Sequence, residues 1–327
     1  MSGVLKSKEI SIVVIILLLS VMITIMNPVF LSSDNLLDIV KGNAVLGILA
    51  VGMTLIIITG GIDVSVAAIT GAVCVLLGHL MVILPDSILS VLVLFLVGPI
   101  IGIALGSLNG VLVAKIKIPA IVVTLGMLSI INGLVLYFTN GQYMNSTSFP
   151  QVFMTFSSFE IAGVSVVTML FIAVAFITWY ILKYTLIGRE VLAIGGNQES
   201  AVRVGINYGK VQIFVFAYMG FLAGIAAIAQ TAYTRAVDPN GMLGLELMVI
   251  AAVVLGGANI MGGRGTIFGT VLGVLLLGIV QNGLILARID TFWQKVFTGL
   301  IILVAVSYDQ IQYRRSQAKL SKIEVEA

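Results

Sequence analysis

Long apolar runs, separated by short polar segments, make up most of this 327-residue chain. A helix needs about 20 apolar residues to cross a bilayer, and the runs that qualify are 10–27, 39–59, 64–84, 88–114, 119–138, 163–183, 208–232, 244–258, 266–286 and 292–308. The run 244–258 is short, so we expect it to be broken or to continue into the glycine-rich stretch after it. Pro99 lies inside the fourth run and predicts a kink. The pattern predicts an all-α polytopic membrane protein, one domain over 1–327, with about ten transmembrane helices.

The basic residues indicate which ends of these helices face the cytoplasm. If the N-terminus is cytoplasmic, 13 of the 17 lysines and arginines fall in cytoplasmic segments, and the exceptions are Lys41, Arg235, Arg288 and Lys295. This distribution predicts that both termini are cytoplasmic, with a cytoplasmic loop at 184–207, a cytoplasmic tail at 309–327 and an extracytoplasmic loop at 139–162. The first run resembles a signal peptide, but no small-residue cleavage site follows it, so we interpret it as an uncleaved span.

The segment 188–207 is unusually polar for this chain. It holds two arginines and two glutamates, which are Arg189, Glu190, Glu199 and Arg203. Since one arginine at a helix centre costs about 2.5–3.5 kcal/mol on insertion, this segment is not a span. Residues 198–204 (QESAVRV) predict a short helix that starts after a Gly-Gly-Asn sequence and stops at Gly205. It is either a solvated loop helix or a docking element for a soluble partner.

The loop 139–162 carries aromatic residues but no lysine or arginine. Its phenylalanines, at helical spacing, are Phe149, Phe153, Phe156 and Phe159. Aromatic side chains at a membrane surface commonly anchor in the headgroup layer. We expect part of this loop to be a helix on the outer leaflet, with docking of an extracytoplasmic protein as the alternative.

Composition excludes several classes of function. The chain is 60% hydrophobic and 9% charged, and its mean hydropathy is +1.18. One cysteine and one histidine are too few for a disulfide framework or a Cys/His metal cluster, and a net charge of +3 is too small to indicate nucleic acid binding. The glycine-rich stretches do not match GxxxxGK[ST], and HExxH is absent. We therefore predict no enzyme activity, no metal and no cofactor bound by this chain.

Glycines recur every four residues along several runs. The predicted packing positions are Gly98, Gly102, Gly106 and Gly110 in the fourth run, with Gly269 and Gly273 in the ninth. Such stripes let helix backbones approach closely in a membrane, where no hydrophobic effect drives association. They predict a tightly packed glycine-rich bundle. Five spans in each half would make any internal repeat inverted.

Charged residues inside the runs are scarce, although intramembrane charge commonly marks ion-coupled transport. Asp63 and Arg264 fall at two cytoplasmic turns, and we expect them either to pair or to face the same partner. The polar groups within the runs are mostly neutral amides, which suit the passage of a neutral polar solute. We expect the translocation path to include Asn132, Gln281, Asn282 and Trp293.

Five sequence blocks, in order over nearly the whole chain, carry a family resemblance. They are GGIDVSV (60–66), IPAIVVTLGML (118–128), GREVLAIGGNQESAVRVGI (188–206), AAVVLGGANIMGGRGTIFGT (251–270) and FWQKVFTGLIILVAV (292–306). In these blocks the chain resembles the permease subunits of bacterial ABC importers of the ribose, galactose, xylose, rhamnose and autoinducer type. Relatives often have GGIDLSVG, where this chain has the conservative changes Val64 and Ala67.

The resemblance implies a permease in the bacterial inner membrane that carries a sugar or sugar-like signalling molecule. Its implied partners are a second permease copy or a sister permease, a cytoplasmic ATPase that uses the ATP, an extracytoplasmic sugar-binding protein and the lipid bilayer. It also implies that a short cytoplasmic helix fits a groove on the ATPase. The corresponding residues here are Gly196, Asn197, Glu199, Ser200, Arg203 and Gly205. The alternative function is a stand-alone secondary transporter or channel for a small polar solute.

Overall fold

The computed structural model describes residues 2–145, 147, 149–290, 292–294, 296, 297, 299, 300, 303 and 307, with side chains from residue 9 onwards. The helices within these ranges are α1 (Ser2–Met26), α2 (Ser33–Gly42), α3 (Ala44–Ile58), α4 (Val66–Ile83), α5 (Ile88–Val111), α6 (Ala120–Thr139), α7 (Gln151–Ser157), α8 (Val166–Tyr184), α9 (Leu186–Gly196), α10 (Gln198–Arg203), α11 (Tyr208–Thr234), α12 (Leu245–Leu255) and α13 (Ile267–Leu286). A 3₁₀ turn (Pro28–Leu31) precedes α2, and a π-helical turn (Leu112–Ile116) extends α5. Four two-residue strands complete the fold: β1 (Met144–Asn145), β2 (Glu160–Ile161), β3 (Val164–Ser165) and β4 (Ala236–Val237).

Seven helices in the described part of the chain are long and apolar enough to cross a membrane. Helices α2 and α3, bent by 48° at their junction, make an eighth if they form one span. The all-α polytopic prediction is therefore confirmed, while the count of ten helices stays a prediction. Most of the predicted span 292–308, and all of the tail 309–327, lie outside the described residues. Helix α5 runs on through Pro99, and the kink there also stays a prediction.

The loops between the helices gather at two ends of the bundle. At one end the Thr266 hydroxyl donates to Glu9 Oε1 (2.7 Å), and the Gly263 N–H donates to the Ile58 carbonyl (2.8 Å). We call this the basic end, because it holds the segment 184–207 with its arginines. At the opposite end β1 pairs with β4, and Lys41 forms an ion pair with Glu160 at 3.2 Å. Which end faces the cytoplasm stays a prediction.

Close contact between the antiparallel helices α5 and α11 forms the centre of the bundle. A Cβ atom on Gly102 would overlap the Gly220 carbonyl, and one on Gly106 would overlap the Phe216 carbonyl. Gly98 faces Gly224, and Gly110 faces the backbone of Ile213 in the same register. Helices α12 and α13 meet in the same way, because Gly269 faces the Gly256 carbonyl and Gly273 faces the Ala252 carbonyl. The glycine stripes therefore lie where helix backbones touch.

The loop 139–162 contains the short helix α7, but its aromatic residues pack differently from the prediction. Phe149 and Phe153 are buried, and Phe156 packs edge-to-face against Phe95 of α5. Phe159 is the exposed member of the four. Headgroup anchoring is therefore wrong for Phe149 and Phe153, because α7 turns this face towards α5, α8 and α11.

Candidate functional site

The polar segment at the basic end folds into two short helices that are joined at Asn197. Thr185 caps the start of helix α9, because its hydroxyl accepts the Gly188 N–H (3.2 Å). The helix buries Val191 and Ile194 on one face. Asn197 ends α9 and caps α10, since its Oδ1 accepts the Ser200 N–H at 2.9 Å. Gly205, with φ of 92°, then turns the chain towards α11.

Helix α10 turns nearly all of its surface to solvent. Ala201 is buried, whereas the predicted ATPase contacts Gly196, Asn197, Glu199, Ser200, Arg203 and Gly205 are all exposed. The side chains of Glu199 and Arg203 are 87% and 81% exposed, and their 3.9 Å ion pair is weak in water. Val202 and Val204 are also exposed, at 49% and 79%. The helix therefore presents charges and apolar side chains together, outside the bundle.

Helix α9 touches the ends of two membrane helices at a point that we call the glycine junction, formed by Ile58, Gly195 and Gly263. A Cβ atom on Gly195 would overlap the Ile58 carbonyl and lie 2.8 Å from the Gly263 nitrogen. These two atoms are themselves joined by the hydrogen bond from Gly263 to Ile58. The backbones of α9, the end of α3 and the loop after α12 are thus in direct contact.

Helices α3 and α12 end in the same way beside the glycine junction. The Gly60 N–H donates to Ile57 and the Gly61 N–H to Ile56, while the Gly257 N–H donates to Val254 and the Ala258 N–H to Val253. Gly60 and Gly257 both have positive φ, as this type of helix termination requires. Both helices run towards the basic end and are followed by a returning helix. The inverted internal repeat stays a prediction.

The expected pair between Asp63 and Arg264 is not formed, and this prediction is wrong. Asp63 is fully buried, and its Oδ1 accepts from the Ser65 N–H (2.8 Å) and the Ser65 hydroxyl (2.6 Å). Arg264 is exposed, so the two residues do not face a common partner either. Burial raises the pKa of the Asp63 carboxyl, which lies in the loop between α3 and α4, from 3.8 to about 6.

A narrow groove lies between α4, α6 and the segment that leads into α12. Asn132 and Glu246 line it, beside the small side chains of α4. Met242 lies beside Gly71, five residues into α4, so the chain before α12 enters the bundle without being helical. Helix α12 has 11 residues and spans about 16 Å at 1.5 Å per residue, roughly half of a bilayer core. Broken helices of this kind are tolerated at membrane depth where they line a cavity.

The other predicted path residues lie elsewhere. Asn282 exchanges two hydrogen bonds with Asn35 (2.8 and 3.1 Å), which tie α13 to α2 near the opposite end. Gln281 is half-buried and Trp293 is 60% exposed, and neither lines the groove beside Asn132. The structure thus brings Asn132 to a cavity but does not bring the four residues together.

Sequence reasoning did not find the helix α9 or the glycine junction. A signal for α9 was present, because Gly188, Val191 and Ile194 recur at a spacing that buries one helix face. No signal marked the contact between Gly195 and the Ile58 carbonyl, since these residues are far apart in sequence.

Known proteins resemble this chain over most of its length. The family described as branched-chain amino acid transport system / permease component matches residues 35–306. The ribose import permease protein RbsC of Haemophilus influenzae is 37% identical over 309 residues, which cover 91% of this chain and 92% of that protein. The autoinducer 2 import system permease protein LsrC of Escherichia coli O157:H7 is 35% identical over 308 residues, covering 93% and 87%. The L-arabinose ABC transporter permease protein AraH of Azospirillum brasilense is 33% identical over 312 residues, covering 95% and 90%. No solved structure matches the chain significantly.

These matches span the glycine junction, α10 and the groove alike. They indicate a multi-pass protein of the bacterial inner membrane that serves as a transport permease and not as an enzyme. The chain belongs to the family of branched-chain amino acid transport system permease components.

Proposed function

We propose that this chain is the membrane-spanning permease subunit of an ATP-driven importer, and that its cargo is a sugar or a sugar-like signalling molecule. The observation that carries the proposal is its likeness, over about nine-tenths of the chain, to import permeases for ribose, autoinducer 2 and L-arabinose. Its partners are a second permease copy or a sister permease, a cytoplasmic ATPase subunit and an extracytoplasmic sugar-binding protein. ATP is bound and hydrolysed by the ATPase subunit.

The coupling of ATP hydrolysis to transport runs through α10. Its charges and valines are exposed, which suits insertion into a groove on the ATPase. Movement of α10 is passed to α9, and from the glycine junction to α3 and to the loop after α12. A coupling element of this kind needs rigid contacts, and the direct backbone contacts at Gly195 provide them.

The solute passes beside the groove between α4, α6 and the non-helical segment before α12. Asn132 there supplies a neutral amide, which can exchange hydrogen bonds with the hydroxyl groups of a sugar without binding an ion. The alternative, a stand-alone secondary transporter or channel, leaves the exposed surface of α10 without a role.

Uptake measurements test the coupling assignment. The chain is reconstituted with its ATPase and binding protein, and uptake of labelled ribose, arabinose and autoinducer 2 is measured. The exchange Glu199→Arg with Arg203→Glu keeps the net charge and the i,i+4 pair but reverses the charge pattern. We expect it to weaken ATPase association about tenfold or more, equivalent to about 1.4 kcal/mol, and to abolish uptake.

The matched control exchanges the ion pair at the opposite end, Lys41→Glu with Glu160→Lys, and we expect ATPase association to be unchanged. The variant Asn132→Leu tests the translocation path independently of the coupling to the ATPase. It should lower uptake while ATPase association stays intact. Full uptake and association in the Glu199/Arg203 exchange would show that α10 is not the coupling element. ATP-independent uptake by the chain alone would favour the secondary transporter.

A further inference from the structure

A buried carboxyl group beside the glycine junction uses only half of its hydrogen-bonding capacity. Asp63 has no exposed surface. Its Oδ1 accepts two hydrogen bonds from Ser65, but its Oδ2 has no hydrogen-bond partner. A buried acceptor without a donor costs about 1–3 kcal/mol, and more if it is charged. Some further group is therefore expected at Oδ2.

A second unsatisfied acceptor belongs to the same hydrogen-bonded chain. The Asn109 side chain of α5 is fully buried and donates from Nδ2 to the Ser65 hydroxyl at 2.8 Å. The Ser65 hydroxyl in turn donates to Asp63 Oδ1. Asn109 Oδ1 has no partner. The cluster of Asp63, Ser65 and Asn109 thus contains two buried oxygens that can accept a hydrogen bond and have no donor.

No positive charge within the described residues compensates the Asp63 carboxylate. None of the titratable or charged side chains on the surrounding elements forms a hydrogen bond or an ion pair with Asp63. These side chains are Cys74 and His79 of α4, Lys115 and Lys117 after α5, Tyr137 of α6, Tyr208, Lys210, Tyr218 and Tyr233 of α11, Glu246 of α12, and Arg264. An isolated buried carboxylate costs several kcal/mol, and such a group takes up a proton. The raised pKa of Asp63 has the same cause, burial.

We propose that the Asp63 carboxyl is a proton-binding site, in which a proton on Oδ2 is donated in a hydrogen bond to Asn109 Oδ1. One proton supplies the one hydrogen that the two acceptors lack. The protonated form ties the loop 59–65 to α5, and Gly60 of that loop lies beside Gly262, the residue before Gly263. Ionisation of Asp63 breaks this tie.

Infrared spectroscopy of the purified full-length chain tests the proposal directly. Difference spectra between about pH 5 and about pH 8, on either side of the expected midpoint, should contain the C=O stretching band of one buried protonated carboxyl. We expect this band to be absent from Asp63→Asn and retained in Asp38→Asn, whose carboxyl in α2 is exposed. Absence of the band from the wild type, or its persistence in Asp63→Asn, would overturn the proposal.

The variant Asn109→Leu tests the acceptor and does not require Asp63→Asn to fold. Without Asn109 Oδ1 the proton on Asp63 loses its hydrogen bond, so the protonated form is less stable. We expect the midpoint of the infrared titration to move to lower pH relative to the wild type. An unchanged midpoint would mean that Asn109 does not accept this proton, and it would refute the proposed site.

Discussion

The substitution Gly195→Ala adds one methyl group where α9 meets the ends of two membrane helices. In open space this change would stabilise the helix, because alanine is favoured over glycine by about 1 kcal/mol. Here the added Cβ atom overlaps the Ile58 carbonyl and lies 2.8 Å from the Gly263 nitrogen. Both contacts are to backbone atoms, so no side chain can rotate away to make room.

The expected loss of stability has two sources. Overpacking against backbone costs about 1–3 kcal/mol, and separating the Gly263 N–H from the Ile58 carbonyl costs about 1 kcal/mol. After the gain in helix propensity of about 1 kcal/mol is subtracted, Gly195→Ala should lower the free energy of unfolding by about 1–3 kcal/mol. The neighbouring glycine is the matched control, because no atom lies within 4 Å of a Cβ atom on Gly196. Gly196→Ala should raise the free energy of unfolding by up to about 1 kcal/mol.

Denaturant melts of the two variants in the same detergent measure this difference. We expect the midpoint of Gly195→Ala to lie below that of the wild type, and the midpoint of Gly196→Ala to lie at or above it. In the reconstituted transporter Gly195→Ala should also reduce ATP-driven uptake, since it separates the backbones that transmit motion from α9. Equal midpoints for the two variants would refute the direct backbone contact at the glycine junction.

Three further predictions concern packing, a buried hydrogen bond and pH. Gly102→Ala should lower the free energy of unfolding by about 1–3 kcal/mol, because its Cβ atom would overlap α11. Gly133→Ala is the control, because a Cβ atom there meets open space. Equal unfolding midpoints for the two variants would contradict the contact between α5 and α11. A double-mutant cycle of Thr54→Val and Thr270→Val, whose buried hydroxyls lie 2.7 Å apart, should give a coupling of about 0.6 kcal/mol, and zero coupling would exclude the bond. Because the folded pKa of Asp63, about 6, exceeds the reference value of 3.8, its contribution to stability is full below that value and is lost as pH rises to about 6. The unfolding free energy of the wild type, measured relative to Asp63→Asn, should therefore fall by about 3 kcal/mol between these two pH values and stay level above them. If denaturant melts show no such fall in the unfolding free energy, Asp63 is ionised throughout this pH range.

The membrane helices could be predicted from the sequence, because hydropathy over about 20 residues depends on composition and not on tertiary contacts. Helix α10 could be predicted too, since Asn197 and Gly205 mark its ends chemically. The prediction that Asp63 pairs with Arg264 was wrong for a physical reason. The sequence shows opposite charges in two loops, but it does not show that Asp63 is fully buried while Arg264 faces water.

The loop 139–162 shows a similar limit. The spacing of its phenylalanines predicted a helix, but aromatic side chains suit both a headgroup layer and a protein surface. The contact with Phe95 of α5 decides between them. The run 244–258 was predicted to be short, and α12 has 11 residues, whereas the groove beside Asn132 depends on how three distant segments pack.

The central claim is that α10 is the point where the ATPase subunit acts on this permease. The most direct test is photo-crosslinking in membranes that contain the assembled transporter, with the probe placed at position 199 in one sample and at position 238 in another. Glu199 lies on α10 at the basic end, and Asp238 is exposed near the opposite end. We expect a covalent adduct with the ATPase subunit from position 199 and none from position 238. An ATPase adduct from position 238, with none from position 199, would contradict both the orientation and the coupling assignment.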